Sequence, residues 1–297
     1  MARKTQTASK SKTKQKGKST PEGASGGRAF SIATNKQKTV TERVAALTQV
    51  PLAVCDSDAH LQAVLGVLRD TEEPVAVRMA AMQSLQAASF SVVAFESSSG
   101  DYRATLRKVA QDANPELRQR ALGMLARQKD GFAQKKLLEG LENPGKALVP
   151  PEKALQLLSY DVHASAYEAA RAIVDHPPNP TAKREALRLL SADATAAPVF
   201  EKVLLDKDEM RENRQISASA LHAIDPEKMQ ALARNIVLDS DDYDDIKATS
   251  LTALAQFGDN ATLAVDQTLR QSVDRIKTQG SAKLQQSASQ FLNKYNG

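Results

Sequence analysis

The stretch Asp112–Leu125, with the sequence DANPELRQRALGML, decides the fold of this chain. Asn114 carries a side-chain oxygen directly before Pro115, and a proline is tolerated at the first position of a helix because its missing N–H has no partner there. Ala121 and Leu122 then fall on one apolar stripe with helical spacing. The segment therefore predicts a capped, amphipathic helix whose alanine lets a neighbouring helix approach closely.

The small-residue and leucine pair of this helix recurs along the chain at intervals of 30 to 40 residues. The copies, in which methionine can replace the leucine, are Ala81-Met82, Ala121-Leu122, Ala154-Leu155, Ala186-Leu187 and Ala220-Leu221. A degenerate copy follows at Ser250-Leu251 and a weaker one at Ala288-Ser289. A second amphipathic pattern lies between successive copies, and the last of these runs without a break over residues 261–276. Two helices per period, with no useful run of period-two alternation, predict an all-α solenoid.

The motif Asp-x-x-Pro-x-x-Arg-x-x-Ala-Leu at residues 112–122 resembles the consensus of the HEAT repeat family, and residues 70–85 hold a second good copy. The resemblance covers roughly residues 58–294 and implies a right-handed α-solenoid of about six to seven helix pairs. It also implies a ladder of turn aspartates and second-helix basic residues between adjacent repeats, which would consist of Asp70, Arg78, Asp112 and Arg118, with Lys183 and Lys247 as further members. Pro151 and Ser217 stand at the equivalent position of two other repeats, so the continuity of this ladder stays open.

Charge divides the sequence into two parts. Residues 1–41 hold ten basic residues and one acidic residue, whereas the rest of the chain has a net charge of −4 within an overall +5. The first 38 residues are rich in Lys, Ser, Thr and Gly and cannot bury enough apolar surface to offset the entropy of ordering. We therefore predict a disordered basic tail at 1–38 and a HEAT-like solenoid at 39–297.

Two sets of basic residues are candidates for contact with an anion or a partner. The set in the tail consists of Lys4, Lys10, Lys12, Lys14, Lys16 and Lys18, and the set on the second helices consists of Arg120, Lys183, Arg184, Arg188, Arg211 and Arg214. The tail suits sequence-independent contact with phosphates, or an inert or regulatory extension. The second set is either a solvated, internally paired face or an anion-binding groove.

No group of residues predicts catalysis, a metal site or a cofactor. The four histidines lie more than ten residues apart, and Cys55 is the only cysteine, so an intramolecular disulfide is excluded. The acidic run at residues 239–245 begins like a calcium loop but lacks the glycine and the glutamate that such a loop requires, which favours an acidic helix N-terminus.

These observations favour a non-enzymatic scaffold or adaptor that binds another protein along the solenoid. The alternative is a protein that associates with nucleic acid or another polyanion through its lysine-rich tail. A HEAT-like enzyme, of the bilin lyase or DNA glycosylase type, is the third hypothesis. The sequence contains neither a secretory signal nor a membrane-length apolar stretch, so we expect a cytoplasmic protein, or a nuclear one in a eukaryote. Its oligomeric state stays open.

Overall fold

The computed structural model describes residues 22–51, 53–90, 95 and 99–295. Over these ranges the chain forms 17 α-helices and no strand. The all-α prediction is therefore confirmed. The tail lysines from Lys4 to Lys18 lie outside the described residues.

The chain forms two compact units, Met1–Val109 and Ala110–Gly297. The described helices of the first unit are α1 (Glu22–Thr34), α2 (Val40–Leu47), α3 (Asp58–Arg69), α4 (Val75–Ser89) and α5 (Ser99–Val109). Helix α1 packs against α2, and α3 packs against α4. The second helices of these two pairs, α2 and α4, also contact each other, as expected for stacked repeats.

Helix α1 corrects the prediction that residues 1–38 are disordered. The sequence EGASGGRAFSIAT is rich in glycine, yet Ala29, Phe30 and Ala33 are buried in the described structure. The Phe30 ring stacks on His60 of α3 with the ring centroids 4.2 Å apart. Burial against residues far along the chain offsets the low helix propensity of glycine.

The second unit consists of stacked helix pairs. Its helices are α6 (Pro115–Arg127), α7 (Gly131–Glu142), α8 (Pro151–Leu158), α9 (Ala164–Asp175), α10 (Pro180–Leu190), α11 (Ala197–Leu205), α12 (Arg211–Ile224), α13 (Pro226–Leu238), α14 (Asp244–Phe257), α15 (Asn260–Val265), α16 (Gln267–Gln279) and α17 (Ala282–Tyr295). Five pairs are formed by α7 with α8, α9 with α10, α11 with α12, α13 with α14, and α16 with α17. The second helices α6, α8, α10, α12, α14 and α17 each contact the next in this order and form one layer.

The repeated apolar anchors form the core between these helices. Ala121, Ala186, Leu187, Leu221 and Leu251 have no exposed surface. Small residues at these positions allow the second helices of adjacent pairs to lie close together, which is the packing that the repeat predicted. None of the described helices has the length and apolar character that crossing a bilayer requires.

Short polar side chains set where the helices begin. The Asn114 and Asn179 side chains accept hydrogen bonds from N–H groups in the first turns of α6 and α10, and Asp225 does the same for α13. A proline occupies the first helical position in α6, α8, α10 and α13. Capping side chains and prolines of this kind are the local signals that fix where a helix begins.

Candidate functional site

A basic residue recurs at the fourth position of most second helices. These residues are Arg43, Arg78, Arg118, Lys183, Arg214 and Lys247. In three of these arginines the Nε–H donates to a backbone carbonyl ten residues earlier, near the end of the preceding first helix. The three hydrogen bonds are Arg43 to Ala33 at 3.1 Å, Arg78 to Leu68 at 3.1 Å and Arg214 to Leu204 at 2.8 Å. The side chain at this position thus ties the two helices of a pair together.

Three of the six basic side chains reach a carboxylate of the following pair. Arg43 donates to both oxygens of Glu73, at 2.6 and 2.8 Å, and both side chains are buried. Lys183 is paired with Glu209, and Arg214 donates to Asp242 at 2.8 Å. Each of these acids stands two residues before the first residue of the next second helix. We call this recurring interaction the interrepeat ladder.

One acid that the family resemblance implied, Asp70, is not paired in the described structure with a second-helix cation of the preceding pair. Asp70 accepts a hydrogen bond from Lys36 at 2.6 Å and one from the backbone N–H of Glu72 at 3.0 Å, so it stabilises the turn. Arg118 donates to the backbone carbonyls of Asp112, at 2.8 Å, and Leu148, at 2.6 Å. The ladder acid stands two residues before the next second helix. This position can be read in the sequence, but the family consensus draws attention to the turn aspartate instead.

The second-helix residues predicted to contact an anion are paired with carboxylates. Arg120 lies 3.4 Å from Glu116, Arg184 and Arg188 bond to Glu212 at 3.0 and 3.1 Å, and Arg211 bonds to Asp245 at 3.2 Å. Lys183 and Arg214 belong to the interrepeat ladder. Of the two interpretations that the sequence left open for this set, the geometry favours the internally paired face.

Local electrostatics favour the ionised form of two ladder acids, Asp242 and Glu209. Burial alone would raise the pKa of Asp242, but hydrogen bonds from Arg214 and Lys207 outweigh it and hold that pKa below its ordinary value. Burial would also raise the pKa of Glu209, but hydrogen bonds from Lys183 and Asn213 outweigh it and lower that pKa. The ladder is therefore a set of charged, partly desolvated pairs, whose members have little charge left for an external ligand.

The C-terminal helix pair of the second unit has a different charge pattern. Asp274 is the last acidic residue of the sequence, and Arg275, Lys277 and Lys283 follow it. These three side chains are exposed and form no ion pair with any carboxylate that the structure describes. We call these three residues the C-terminal cationic surface, although Arg275 and Lys277 are two residues apart on α16 and therefore project from different sides of that helix.

Exposed apolar side chains lie beside this surface. A pocket of about 400 Å³ is lined by Arg211, Asp242, Tyr243, Asp244, Asp245, Ser281 and Lys283. The Arg211 guanidinium lies 4.9 Å from the centroid of the Tyr243 ring, which is 43% exposed. Met210, next to Arg211, is 53% exposed. Tyrosine, methionine and arginine together are the side chains enriched where proteins bind other proteins.

Within the described ranges, no group of three or more His, Cys, Asp or Glu side chains is arranged to hold a metal ion. The histidines take local partners instead. His163 Nε2 lies 3.3 Å from Asp161, and His222 Nε2 lies 3.1 Å from the Gln256 side-chain oxygen. Neither contact brings a nucleophile and a base together in the way that nucleophilic catalysis requires.

Comparison with known proteins gives structural neighbours only. No family model and no curated protein matches the chain. The complex of CpcE and CpcF of phycocyanin lyase from Nostoc is 17% identical, covering 90% of this chain and 97% of that one, with a TM-score of 0.38. An engineered protein is 17% identical over 91% of this chain and 83% of its own, with a TM-score of 0.47. Human deoxyhypusine hydroxylase is 12% identical over 83% of this chain and 99% of its own, with a TM-score of 0.35.

These neighbours are helical repeat-like proteins, and two of them bear the names of enzymes, a lyase and a hydroxylase. The predictions of a non-enzymatic scaffold and of a protein that is not an enzyme are therefore contradicted. The scaffold prediction rested on the number of repeats, and the lack of a catalytic motif supported both predictions without excluding an enzyme. At these identities the likeness concerns the fold, and no reaction is transferred from it to this chain.

Proposed function

We propose that this protein recognises an acidic segment of another protein through the C-terminal cationic surface. One observation carries the proposal: Arg275, Lys277 and Lys283 have no carboxylate partner among the described residues, whereas carboxylates pair with five cations of the preceding second helices, Lys183, Arg184, Arg188, Arg211 and Arg214. Cations without internal partners attract a ligand of opposite charge. The proposal concerns binding alone, and it applies equally to a protein substrate and to a stable subunit.

A protein partner fits this surface better than a nucleic acid does. The exposed Tyr243 lines the same pocket as Arg211 and Lys283, so it offers apolar contact area next to positive charge, and this combination suits a peptide with acidic and apolar side chains. Contact with duplex DNA draws chiefly on rows of phosphate-binding cations. The interaction of the tail lysines with a polyanion stays a separate prediction.

Membership of the HEAT-like class is part of the same proposal. It is supported by the stacked helix pairs and by the basic residue at the fourth position of successive second helices. Proteins built in this way present long surfaces along which a partner segment can lie. The C-terminal cationic surface would be the end of such a surface where the charge favours acidic side chains.

The experiment measures binding of a fluorescent peptide that alternates glutamate with leucine, using the full chain. The affinity of the unmodified chain for this peptide is compared with that of a variant that carries Arg275→Glu, Lys277→Glu and Lys283→Glu. Because three favourable charges become unfavourable ones, we expect the affinity to fall by at least about tenfold and the salt dependence to weaken.

The matched control carries the same change in net charge elsewhere in the second unit, as Lys135→Glu, Lys146→Glu and Lys153→Glu. We expect this control to bind the peptide about as well as the unmodified chain. Equal weakening in both variants would show that only net charge matters, and unchanged binding in the first would remove the proposed site. Tighter binding of a DNA duplex than of the peptide, lost with the first variant, would assign the surface to nucleic acid instead.

A further inference from the structure

The interrepeat ladder lacks its last acid. Lys247 occupies the fourth position of α14, where Arg214 stands in α12 and Lys183 stands in α10. The acid two residues before α12 is Glu209, and the acid two residues before α14 is Asp242. The equivalent position before α17 is Gly280. Lys247 is thus a ladder cation for which the following pair supplies no carboxylate.

Lys247 is nevertheless buried, with 7% of its surface exposed. Its Nζ donates to the backbone carbonyl of Ser240 at 3.1 Å. In the part of the chain that the structure describes, no carboxylate forms an ion pair with this ammonium. Asp239 and Asp244 attract this ammonium electrostatically without forming an ion pair with it. An ammonium has three N–H donors, so at least two are left for another acceptor, and a buried donor without an acceptor is unfavourable.

A pocket of about 310 Å³ adjoins this lysine, between α13, α14, α16 and α17. Its polar lining includes Lys247, Arg275, Ser272 and Gln279, and its apolar lining is formed by Val237, Leu238, Ile276 and Leu284. Gly280 also lines the pocket, and a Cβ atom there would lie 3.0 Å from a Leu284 methyl carbon and 3.0 Å from the Ile276 carbonyl oxygen. The glycine therefore both removes the ladder acid and keeps this corner of the pocket open.

We infer that this pocket binds a small monocarboxylate with an apolar carbon chain, whose carboxylate takes the place of the missing ladder acid beside Lys247. The carboxylate would accept hydrogen bonds from the Lys247 ammonium and the Arg275 guanidinium, and the carbon chain would contact the apolar lining. This arrangement restores at α17 the cation–carboxylate pair that the preceding repeats form within the chain. The inference does not depend on the proposed recognition of an acidic protein.

The lining distinguishes a monocarboxylate from a phosphate. Asp244 also borders the pocket, and its carboxylate accepts the backbone N–H of Ser281 at 2.8 Å. That hydrogen bond lowers the pKa of Asp244, so the group is negatively charged. A nearby negative charge disfavours a dianion more than a monoanion. The apolar walls add a preference for a ligand with a hydrocarbon portion.

The experiment follows the methyl signals of Val237, Ile276 and Leu284 by NMR in the full chain during titration with hexanoate. We expect saturable shifts of these signals with a Kd on the order of 1 mM, a weak affinity in keeping with a small ligand. Hexan-1-ol, which keeps the carbon chain without the charge, and inorganic phosphate should each bind at least about tenfold more weakly. Tighter binding of phosphate than of hexanoate would overturn the assignment of ligand class.

Variants separate this pocket from the cationic surface. Lys247→Met keeps the length and apolar character of the side chain, and it should weaken hexanoate binding by at least about tenfold. Ser272→Asp provides a second variant at a half-exposed position, and it should weaken binding because it adds a carboxylate to the lining. Lys283→Met is the matched control outside the pocket, and it should leave hexanoate binding unchanged. The inference is refuted by the absence of shifts in the unmodified chain, or by equal hexanoate affinity in the Lys247→Met variant.

Discussion

Arg214 and Lys247 occupy the same position of neighbouring second helices, but their buried charges have different surroundings. Arg214 is 2% exposed and bonds to Asp242 at 2.8 Å, whereas Lys247 bonds to a backbone carbonyl. Removing one partner of a buried pair leaves the other charge uncompensated. We therefore predict that Arg214→Met lowers the free energy of unfolding by about 3 kcal/mol, whereas Lys247→Met changes it by less than about 1 kcal/mol.

Unfolding in urea, monitored by circular dichroism, measures both changes. Lys207, which lies 3.0 Å from Asp242, limits the loss in the Arg214→Met variant because it still compensates that carboxylate. The variant Arg214→Met with Asp242→Asn serves as the control, since it removes both charges, and it should recover part of the lost stability. Equal destabilisation by the two single substitutions would contradict the distinction between a paired and an unpaired ladder cation.

Single residues also show how far the sequence could predict the site. The basic positions Arg78, Arg118, Lys183 and Lys247 can be found from the helical repeat alone, because they keep a fixed distance from the helix start. The acceptors can be found in this way only where they are carboxylates at a fixed distance before the next second helix, because the backbone carbonyls to which Arg118 bonds carry no sequence signal. The unpaired state of Lys247 depends on which residue of the next pair faces it, and only the structure shows that.

Among the elements, the helix predicted over residues 261–276 is two helices in the structure, α15 and α16, separated at Asp266. The Asp266 carboxylate accepts the backbone N–H of Leu269 at 3.0 Å and a hydrogen bond from Arg234 of α13 at 2.5 Å. The Arg234 hydrogen bond and the backbone N–H both lower the pKa of Asp266. The apolar period continues through this point, so the period alone could not reveal a break that a side chain from another helix helps to fix.

We predict that Asp266→Ala lowers the free energy of unfolding by about 1 kcal/mol, because the N-cap of α16 and the partner of Arg234 are both lost. Asp266→Asn is the matched control, since an asparagine can still cap the helix, and it should lose less. Thermal unfolding followed by circular dichroism compares the two. If Asp266→Ala is as stable as the unmodified chain, the interruption at Asp266 does not depend on these hydrogen bonds.

Helix α1 is an element that the local sequence does not predict. The glycine-rich composition of residues 22–34 favours disorder, and the residues that stabilise the helix lie elsewhere, in α2 and α3. The positions of the other first and second helices were predicted well, because their apolar period and their caps lie within each helix. Local signals are therefore sufficient for the repeats, whereas an element held by distant contacts requires the three-dimensional structure.

For the molecule as a whole, the position of its charges differs from what its composition suggests. The high net positive charge of residues 1–41 directs attention to the tail, and the rest of the sequence has a net negative charge. Within the second unit, however, several second-helix cations are paired with carboxylates, Arg184, Arg188 and Arg211 among them. Arg275, Lys277 and Lys283 follow the last acid of the sequence and have no such partner among the described residues. The distribution of pairing, and not the net charge, indicates where an acidic ligand would bind.

The beginning of the folded part of the chain can be tested with two truncated proteins. A chain that starts at residue 22 keeps α1, whereas a chain that starts at residue 39 loses the buried Ala29, Phe30 and Ala33. It also loses the Ala33 carbonyl to which the buried Arg43 donates. Loss of a buried phenylalanine alone costs about 3–5 kcal/mol, so we predict that the shorter chain unfolds at a clearly lower temperature and that the longer one unfolds like the full chain. Calorimetry measures both transitions, and equal unfolding temperatures for the two truncated proteins would restore residue 39 as the boundary.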